Sequence, residues 1–280
     1  MRIAYQGEPG AYSEAAALRL DAAAEAVPCG SFDEVFAAVE GDRVSHGILP
    51  IENSVGGSIH RNYDLLVEHD LPIVGEVTLR VTHQLLALPG TTLEDVKRIY
   101  SHPQALAQCE KFLHRLAGVE IIATYDTAGS AKMILDQGAR DAAAIASARA
   151  AEIFGMSVLA SGIQDYAENI TRFLVVGRSA TPLGEPDKTS VVFTLHNEPG
   201  GLFKALSVFA LRGLNLTKLE SRPIRGRAFE YLFYADIAAR RQDRQCARAL
   251  GHLGEFARTM RVLGSYAAWK EPPAVESATA

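Results

Sequence analysis

The chain has 280 residues, 48% of them hydrophobic and 22% charged, with a mean hydropathy of +0.03 and a formal net charge of −5. At roughly 150 residues per domain this length predicts two domains, and the composition excludes a disordered chain or a disulfide-stapled miniprotein. Residues 1–180 carry 14 Lys and Arg against 23 Asp and Glu, a net of −9, whereas residues 181–280 carry 14 against 10, a net of +4; so acidic a first part argues against nucleic acid as a partner.

The N-terminus enters a strand pattern at once at Ile3, Ala4 and Tyr5, so no signal peptide is expected. Short apolar strands at 3–5, 46–50, 73–79, 98–100, 121–124, 143–146 and 173–176 alternate with helices at 13–24, 31–40, 59–68, 104–116, 128–137 and 148–154. That alternation predicts an α/β domain with mostly parallel sheets. The long extended segment 73–88 is read as a crossing between two lobes. A stretch rich in Pro, Gly and polar residues, 177–187, is read as a linker. Beyond it the pattern becomes strand 189–195, helix 201–211, strands 214–222 and 228–237 joined by a turn ending at Gly226, helix 244–255 and strand 260–266. The order βαββαβ is the ferredoxin-like unit, whose edge strands tend to pair between copies. The expected domains are 1–180 and 188–270, followed by a flexible tail at 271–280.

No run of ~20 apolar residues is present to span a bilayer, so no membrane partner is expected. Cys29, Cys109 and Cys246 form no CxxC pair, and the eight His residues are dispersed, so neither a metal nor a cofactor is expected and the location reads as cytoplasmic. Dinucleotide, Walker, HExxH and GxSxG patterns are missing.

Four polar clusters follow apolar strands: Glu52-Asn53-Ser54 through Gly56, Gly57 and Ser58; Ser101-His102-Pro103-Gln104; Asp126-Thr127; and Asn169-Ile170-Thr171-Arg172-Phe173. A strand that ends in Ser, Thr or Asp and opens a helix presents unpaired backbone N–H groups, which favour an anion. Any one cluster reads equally as a helix cap; four in one domain, the last holding an Arg, point to a polar cleft where strand ends converge.

These clusters, with Ile48-Leu49-Pro50-Ile51 ahead of the first, make the chain resemble the prephenate dehydratase family, and Asn197-Glu198-Pro199-Gly200-Gly201-Leu202 with Leu219-Glu220-Ser221-Arg222-Pro223 make its second domain similar to an ACT domain. The likeness runs from Tyr5 to about Trp269. With no all-helical mutase segment before the first strand, it is to the monofunctional form. The resemblance implies a two-lobed catalytic domain like a periplasmic binding protein. It implies cofactor-free conversion of prephenate to phenylpyruvate, with feedback by phenylalanine at the ACT domain, and a homodimer or homotetramer paired through that domain. The alternatives are arogenate as substrate, which gives phenylalanine directly, and a non-catalytic anion-binding regulator on the same scaffold.

On this reading the catalytic residues are Thr171, Arg172 and Phe173. Thr171 is a hydrogen-bond donor to the departing hydroxyl, because an alcohol is too weak an acid to surrender its proton. Arg172 is a bidentate clamp for the side-chain carboxylate, since gripping the ring carboxylate would hold back its loss. Phe173 and Tyr12 form an apolar wall. Asn53, Ser54, Gly57, Ser58, Ser101, Gln104, Thr127 and Asn169 are expected to bind substrate. Glu52 is read as structural, because a carboxylate beside a dianion is costly, and Asp126 as a helix cap. His102 is either a catalytic group or a structural hydrogen-bonder. The effector residues are Asn197, Gly200, Gly201, Leu202, Asn215, Glu220, Ser221 and Arg222.

Overall fold

The computed structural model describes residues 1–224, 226–227 and 229–271. Arg225 and Ala228, within the expected 223–228 turn and strand start, and all of the expected tail but Glu271 lie outside the described residues. The chain divides into two units, residues 1–72 with 77–180, and residues 73–76 with 181–280.

In chain order the first unit holds β1 (Arg2–Gln6), α1 (Tyr12–Leu20), β2 (Glu25–Cys29), α2 (Phe32–Glu40), β3 (His46–Asn53), β4 (Gly57–Ser58) and α3 (His60–Glu68). There follow β5 (Ile73–Arg80), whose first four residues group with the second unit, β6 (Gln84–Ala87), β7 (Arg98–Ser101), α4 (Pro103–Gln108), α5 (Glu110–Leu113) and β8 (Glu120–Ala123). The unit ends with α6 (Thr127–Gln137), β9 (Ala142–Ala146), α7 (Ala148–Phe154), β10 (Ser157–Ser161) and β11 (Ile170–Gly177). Two sheets result, ordered β2-β1-β3-β11-β5, with β4 on β3, and β10-β6-β9-β7-β8. Each builds one lobe, as expected of the extended crossing at 73–88.

The sheets are mixed rather than mostly parallel. β1 pairs parallel with β2 and β3, and β7 with β8 and β9, but β11 runs antiparallel to β3, and β6 antiparallel to β9 and β10. The reason is the double crossing: β6 enters the second lobe and β11 returns to the first, so each runs against its neighbours.

Local chemistry sets the helix boundaries. Ser31 caps α2 by accepting the Glu34 N–H at 3.2 Å, and Val35, Phe36, Ala38 and Val39 face the core. β9 reads Ala-Ala-Ala-Ile-Ala, every residue buried, and its small side chains let α6 pack closely. The single helix expected at 104–116 breaks at Cys109. There the Asp165 N–H takes the Gln108 carbonyl at 2.7 Å and the Asp165 carboxylate takes the Lys111 N–H at 3.1 Å, so outside groups satisfy the interrupted ladder.

The lobes meet at a turn between β1 and α1. Gly10 has φ +91°, and a Cβ there would lie 2.7 Å from the Ala150 Cα. Its carbonyl accepts the Ser147 hydroxyl at 2.6 Å, and its N–H donates to the Glu14 carboxylate at 2.6 Å, which also binds Arg149 at 3.0 Å. Glu8 pairs with Lys132 at 3.0 Å.

The second unit holds β12 (Lys188–Leu195), α8 (Gly201–Ala210), β13 (Leu216–Pro223), β14 (Tyr231–Ile237), α9 (Arg244–Phe256) and β15 (Ala257–Tyr266). Its antiparallel sheet, ordered β13-β14-β12-β15, and its two helices enclose a core of Val191, Phe193, Val208, Phe209, Ala249 and Leu253. This is the βαββαβ fold expected. Among the described residues no helix is long and apolar enough to cross a membrane, and no cluster of three His, Cys, Asp or Glu is placed to hold a metal.

Candidate active site

A cavity of about 460 Å³ opens between the two lobes of the first unit. The helix starts that face it decide its electrostatics. Tyr12 and Ser13 at the start of α1, Ser31 to Asp33 at α2, Ile59 at α3, and Asp126 and Thr127 at α6 all line it. The α1 start carries no side-chain cap, so its first N–H groups and dipole are available to an anion. Among the described residues that line the cavity there is no Lys or Arg. Asp126 is fully engaged: Oδ1 accepts the Ala128 and Gly129 N–H groups at 2.9 and 3.4 Å, and Oδ2 accepts the Glu8 N–H from the other lobe at 3.0 Å. It is the helix cap that was expected.

One wall is a chain of buried carboxamides whose polarity can be deduced. Asn53 Oδ1 accepts two backbone N–H groups, Val55 at 3.0 Å and Gly56 at 2.7 Å, so it must be the oxygen. Its Nδ2 therefore donates to Thr171 Oγ1 at 2.9 Å and to Asn169 Oδ1 at 2.7 Å. Gln108 Nε2 donates to the same Asn53 Oδ1 at 3.2 Å, which makes Gln108 Oε1 the acceptor of Asn169 Nδ2 at 2.7 Å and of His83 Nε2 at 2.9 Å. Every member is oriented by the one before it. Thr171 Oγ1, having accepted from Asn53, keeps its own proton to donate.

His83 is held neutral by burial, which lowers its proton affinity against the opposing pull of its Gln108 hydrogen bond. Burial also lowers that of His102, although the nearby Asp126 charge works the other way. His102 Nδ1 accepts the Gln104 N–H at 3.2 Å and so caps α4; it cannot take a proton there without releasing that bond. Burial drives the Tyr12 phenol well above its ordinary range and the Cys109 thiol up to about 12, so both stay protonated.

The cavity gathers Asn53, Gln104, Thr127, Thr171 and Phe173 from the residues expected there, with Tyr12 beside them. Several others sit elsewhere. Arg172 does not line the cavity: successive strand residues point to opposite faces, and in β11 Thr171 and Phe173 take the cavity face while Arg172 lies opposite Glu52 in the register. Ser101 is fully buried and donates to the Ile145 carbonyl at 2.6 Å. Ser54 ties β3 to β11, donating to the Glu168 carbonyl at 2.8 Å and accepting the Ile170 N–H at 2.9 Å. Gly57 and Ser58 form β4, paired with Asn53 and Glu52. A Cβ at Gly56 would run into the Gln104 carboxamide. Asn169 stands behind the wall as a link in the amide chain.

Sequence reasoning missed Gln108 and His83. Gln108 lies four residues after Gln104, on the same helix face, so helical spacing carries a signal for it. His83 lies in an extended segment with no pattern around it.

In the second unit, Gly200 takes φ +77° and opens α8, Gly201 N–H donates to the Glu198 carbonyl at 3.1 Å, and Asn197 and Leu202 flank them. Leu232 of β14 pairs with Thr194 on one side and Arg222 on the other, which brings Arg222 to the same end of the sheet as this loop. Glu220 and Arg222 share one face of β13, whereas Ser221 is on the other. Asn215 lies at the opposite end, where its carbonyl accepts the Ala238 N–H at 3.0 Å, so one chain does not bring it to the loop.

Residues 3–181 match the family model described as prephenate dehydratase, and residues 189–251 match that of the ACT domain. Arogenate dehydratase 2 of Petunia hybrida is 54% identical over 95% of this chain and 71% of its own length. The chloroplastic arogenate dehydratase/prephenate dehydratase 2 of Arabidopsis thaliana is 53% identical over 95% and 72%. Among solved structures, one titled as GqqA, a novel type of quorum-quenching acylase, is 38% identical over 96% of this chain and 98% of its own, with a TM-score of 0.88. The prephenate dehydratase of Arthrobacter aurescens in complex with L-Phe is 34% identical over 98% and 92%, also at 0.88. With a two-lobed unit matched over residues 3–181 and a βαββαβ unit following it in the chain, the chain belongs to the prephenate dehydratase family.

Proposed function

We propose that the chain catalyses the decarboxylating dehydration of prephenate to phenylpyruvate, a carbon–oxygen lyase step of phenylalanine biosynthesis, in the cavity of residues 1–180, and that residues 188–270 regulate it. The observation that carries this reading is the Thr171 hydroxyl, buried in a cavity of substrate size and turned by Asn53 so that its proton remains to be donated. In the reaction the ring C–OH bond breaks with its electron pair leaving on oxygen as hydroxide, which takes a proton from solvent to become water, while the electron pair of the C–carboxylate bond enters the ring and carbon dioxide departs. Thr171 polarises the leaving hydroxyl. The amides orient it but relay no proton. The side-chain carboxylate falls to the uncapped start of α1, which takes over the clamping role expected of Arg172, and Phe173, Pro50 and Ala105 give the departing carboxylate an apolar surround that favours its loss. One preorganised donor supplies about 3–4 kcal/mol of a barrier reduction of at least ~8 kcal/mol, so Thr171 acts together with the helix starts.

Phenylalanine is the effector we assign to the second unit, through the loop at Asn197, Gly200, Gly201 and Leu202 with Glu220, Ser221 and Arg222. Support comes from the L-Phe complex of the Arthrobacter relative. Exposed Leu202, Phe203, Leu219 and Tyr231 suit pairing of this unit into a homodimer or homotetramer, in which Asn215 of a second copy would complete the site. Three unpaired cysteines suit a reducing compartment, and we propose the cytoplasm. Adding prephenate to the purified chain and following phenylpyruvate absorbance in alkali tests the activity. Binding of prephenate without turnover would leave a non-catalytic regulator.

A further inference from the structure

We propose that His83 is a positioning residue for the dehydration: from the second lobe it holds the Gln108 carboxamide in the place that keeps Asn53 donating to Thr171. This deepens the function proposed above and rests on it. Asn53, Asn169 and Gln108 form a closed ring. Asn53 Nδ2 donates to Asn169 Oδ1 at 2.7 Å, Asn169 Nδ2 to Gln108 Oε1 at 2.7 Å, and Gln108 Nε2 back to Asn53 Oδ1 at 3.2 Å. Within the ring each amide gives one N–H and takes one, so the three alone would close equally well in either direction. Reversed, the ring would turn Asn53 Oδ1 toward Thr171 and draw off the hydroxyl proton that the reaction needs. Val55 and Gly56 set the direction at the Asn53 corner. At the Gln108 corner the outside donor is His83 Nε2, 2.9 Å from Oε1, and since Oε1 is an acceptor, Nε2 carries a proton.

His83 is itself fixed by groups outside the amide ring. It is 2% exposed, its N–H donates to Gln164 Oε1 at 3.0 Å, and its carbonyl accepts the Ile163 N–H at 3.1 Å. Its Nδ1 lies 2.9 Å from the Tyr12 hydroxyl, and the two aromatic rings meet edge to face with centroids 5.5 Å apart. Gln108 is the opposite case. It is a long side chain on the last residue of α4, and its bond to Asn53 is the longest of the ring. That bond also crosses between the lobes, because Asn53 ends β3 of one sheet and Gln108 follows β7 of the other. A donor rooted next to β6 therefore decides whether Gln108 stays within reach of Asn53. The backbone at Val55 and Gly56 supplies direction, and His83 supplies place. A long side chain released from its partner spreads over several staggered rotamers, and misplacing a positioned group by ~1 Å costs up to ~100-fold in rate.

The test is kcat and KM for prephenate on the full chain, on His83→Leu and on His83→Gln, with His83→Leu also placed in a Thr171→Ala background. Leucine keeps the bulk but has no N–H, and we expect kcat to fall about tenfold, as loss of one hydrogen bond implies, with KM within about twofold. Glutamine keeps an N–H donor and should recover most of that loss. Because His83 acts through Thr171, His83→Leu should lower kcat by less than about twofold once Thr171 is alanine. Equal losses in the two backgrounds overturn the inference, as does a folded His83→Leu with near-normal kcat or with its loss in KM alone. If the leucine variant fails to fold, nitrogen NMR of the wild-type histidine rings decides: a proton on His83 Nε2 supports the role, and a ring protonated on Nδ1 alone overturns it. A wild type that turns over no prephenate removes the underlying function and this role with it, whereas normal wild-type turnover beside any of the overturning results removes the role alone.

Discussion

The cavity wall of the first unit and the loop of the second use polar groups in contrasting ways. In the wall, Asn53, Asn169, Gln108 and Thr171 are buried and hold one another, so a single pair of backbone donors, Val55 and Gly56, fixes the direction of every hydrogen bond. In the second unit Asn197 and Gly200 sit on an exposed turn that leads into a helix start at buried Gly201, and Glu220, Ser221 and Arg222 are divided between two faces of an edge strand. A locked wall suits a transition state that tolerates little misplacement, whereas an exposed loop suits a ligand that comes and goes with its concentration.

Breaking the wall should have the largest effects. Thr171→Ala is expected to lower kcat about 10²–10³-fold with little change in KM, as for loss of one preorganised donor, and Thr171→Ser should recover most of it. Steady-state kinetics on both decide the point; near-normal kcat in the alanine variant would refute the role. Asn53→Asp should lower kcat about tenfold to a hundredfold, because a carboxylate turns the Thr171 proton away from substrate, and should destabilise the chain by about 2–3 kcal/mol through lost donors, read as a shift in urea midpoint. Asp126→Ala removes a helix cap and the Glu8 acceptor together and should cost about 1–2 kcal/mol by the same measurement.

The buried histidines sharpen the contrast through pH. The folded values of His83 and His102 lie below the ordinary 6.5, so protonation favours the unfolded chain. Their contribution is fully present above 6.5 and is lost as pH falls from there toward the folded values, where the unfolded chain binds more protons. The melting temperature should fall across that window, and His83→Gln should flatten part of the slope. The smallest effect belongs to the loop: Gly200→Ala places a side chain at φ +77°, straining it by about 1–2 kcal/mol, and should raise the phenylalanine concentration needed for half-inhibition.

Much of this molecule is written in its local sequence. Helix α7 is the 148–154 segment that periodicity predicts, and Ser31 announces α2. β2 is hidden by Pro28, which an edge strand tolerates, and β10 by its half-exposed Ser157 to Ser161. The site divides similarly. Thr171 and Phe173 can be placed from their motif, but the sequence cannot say that Arg172 faces away, since that depends on which side of β11 the second lobe covers. Ser101 looks like a cleft residue until β9 offers it the Ile145 carbonyl. His83 meets Gln108 and Tyr12 only in three dimensions, across 25 and 71 residues of chain.

The seat of Gly10 on Ala150 reaches beyond packing. At this one point of contact between the lobes there is no room for even a methyl group on Gly10. A side chain there would act as a wedge, so Gly10→Val offers a way to prop the cleft ajar and to separate ligand capture from closure while leaving every cavity side chain in place.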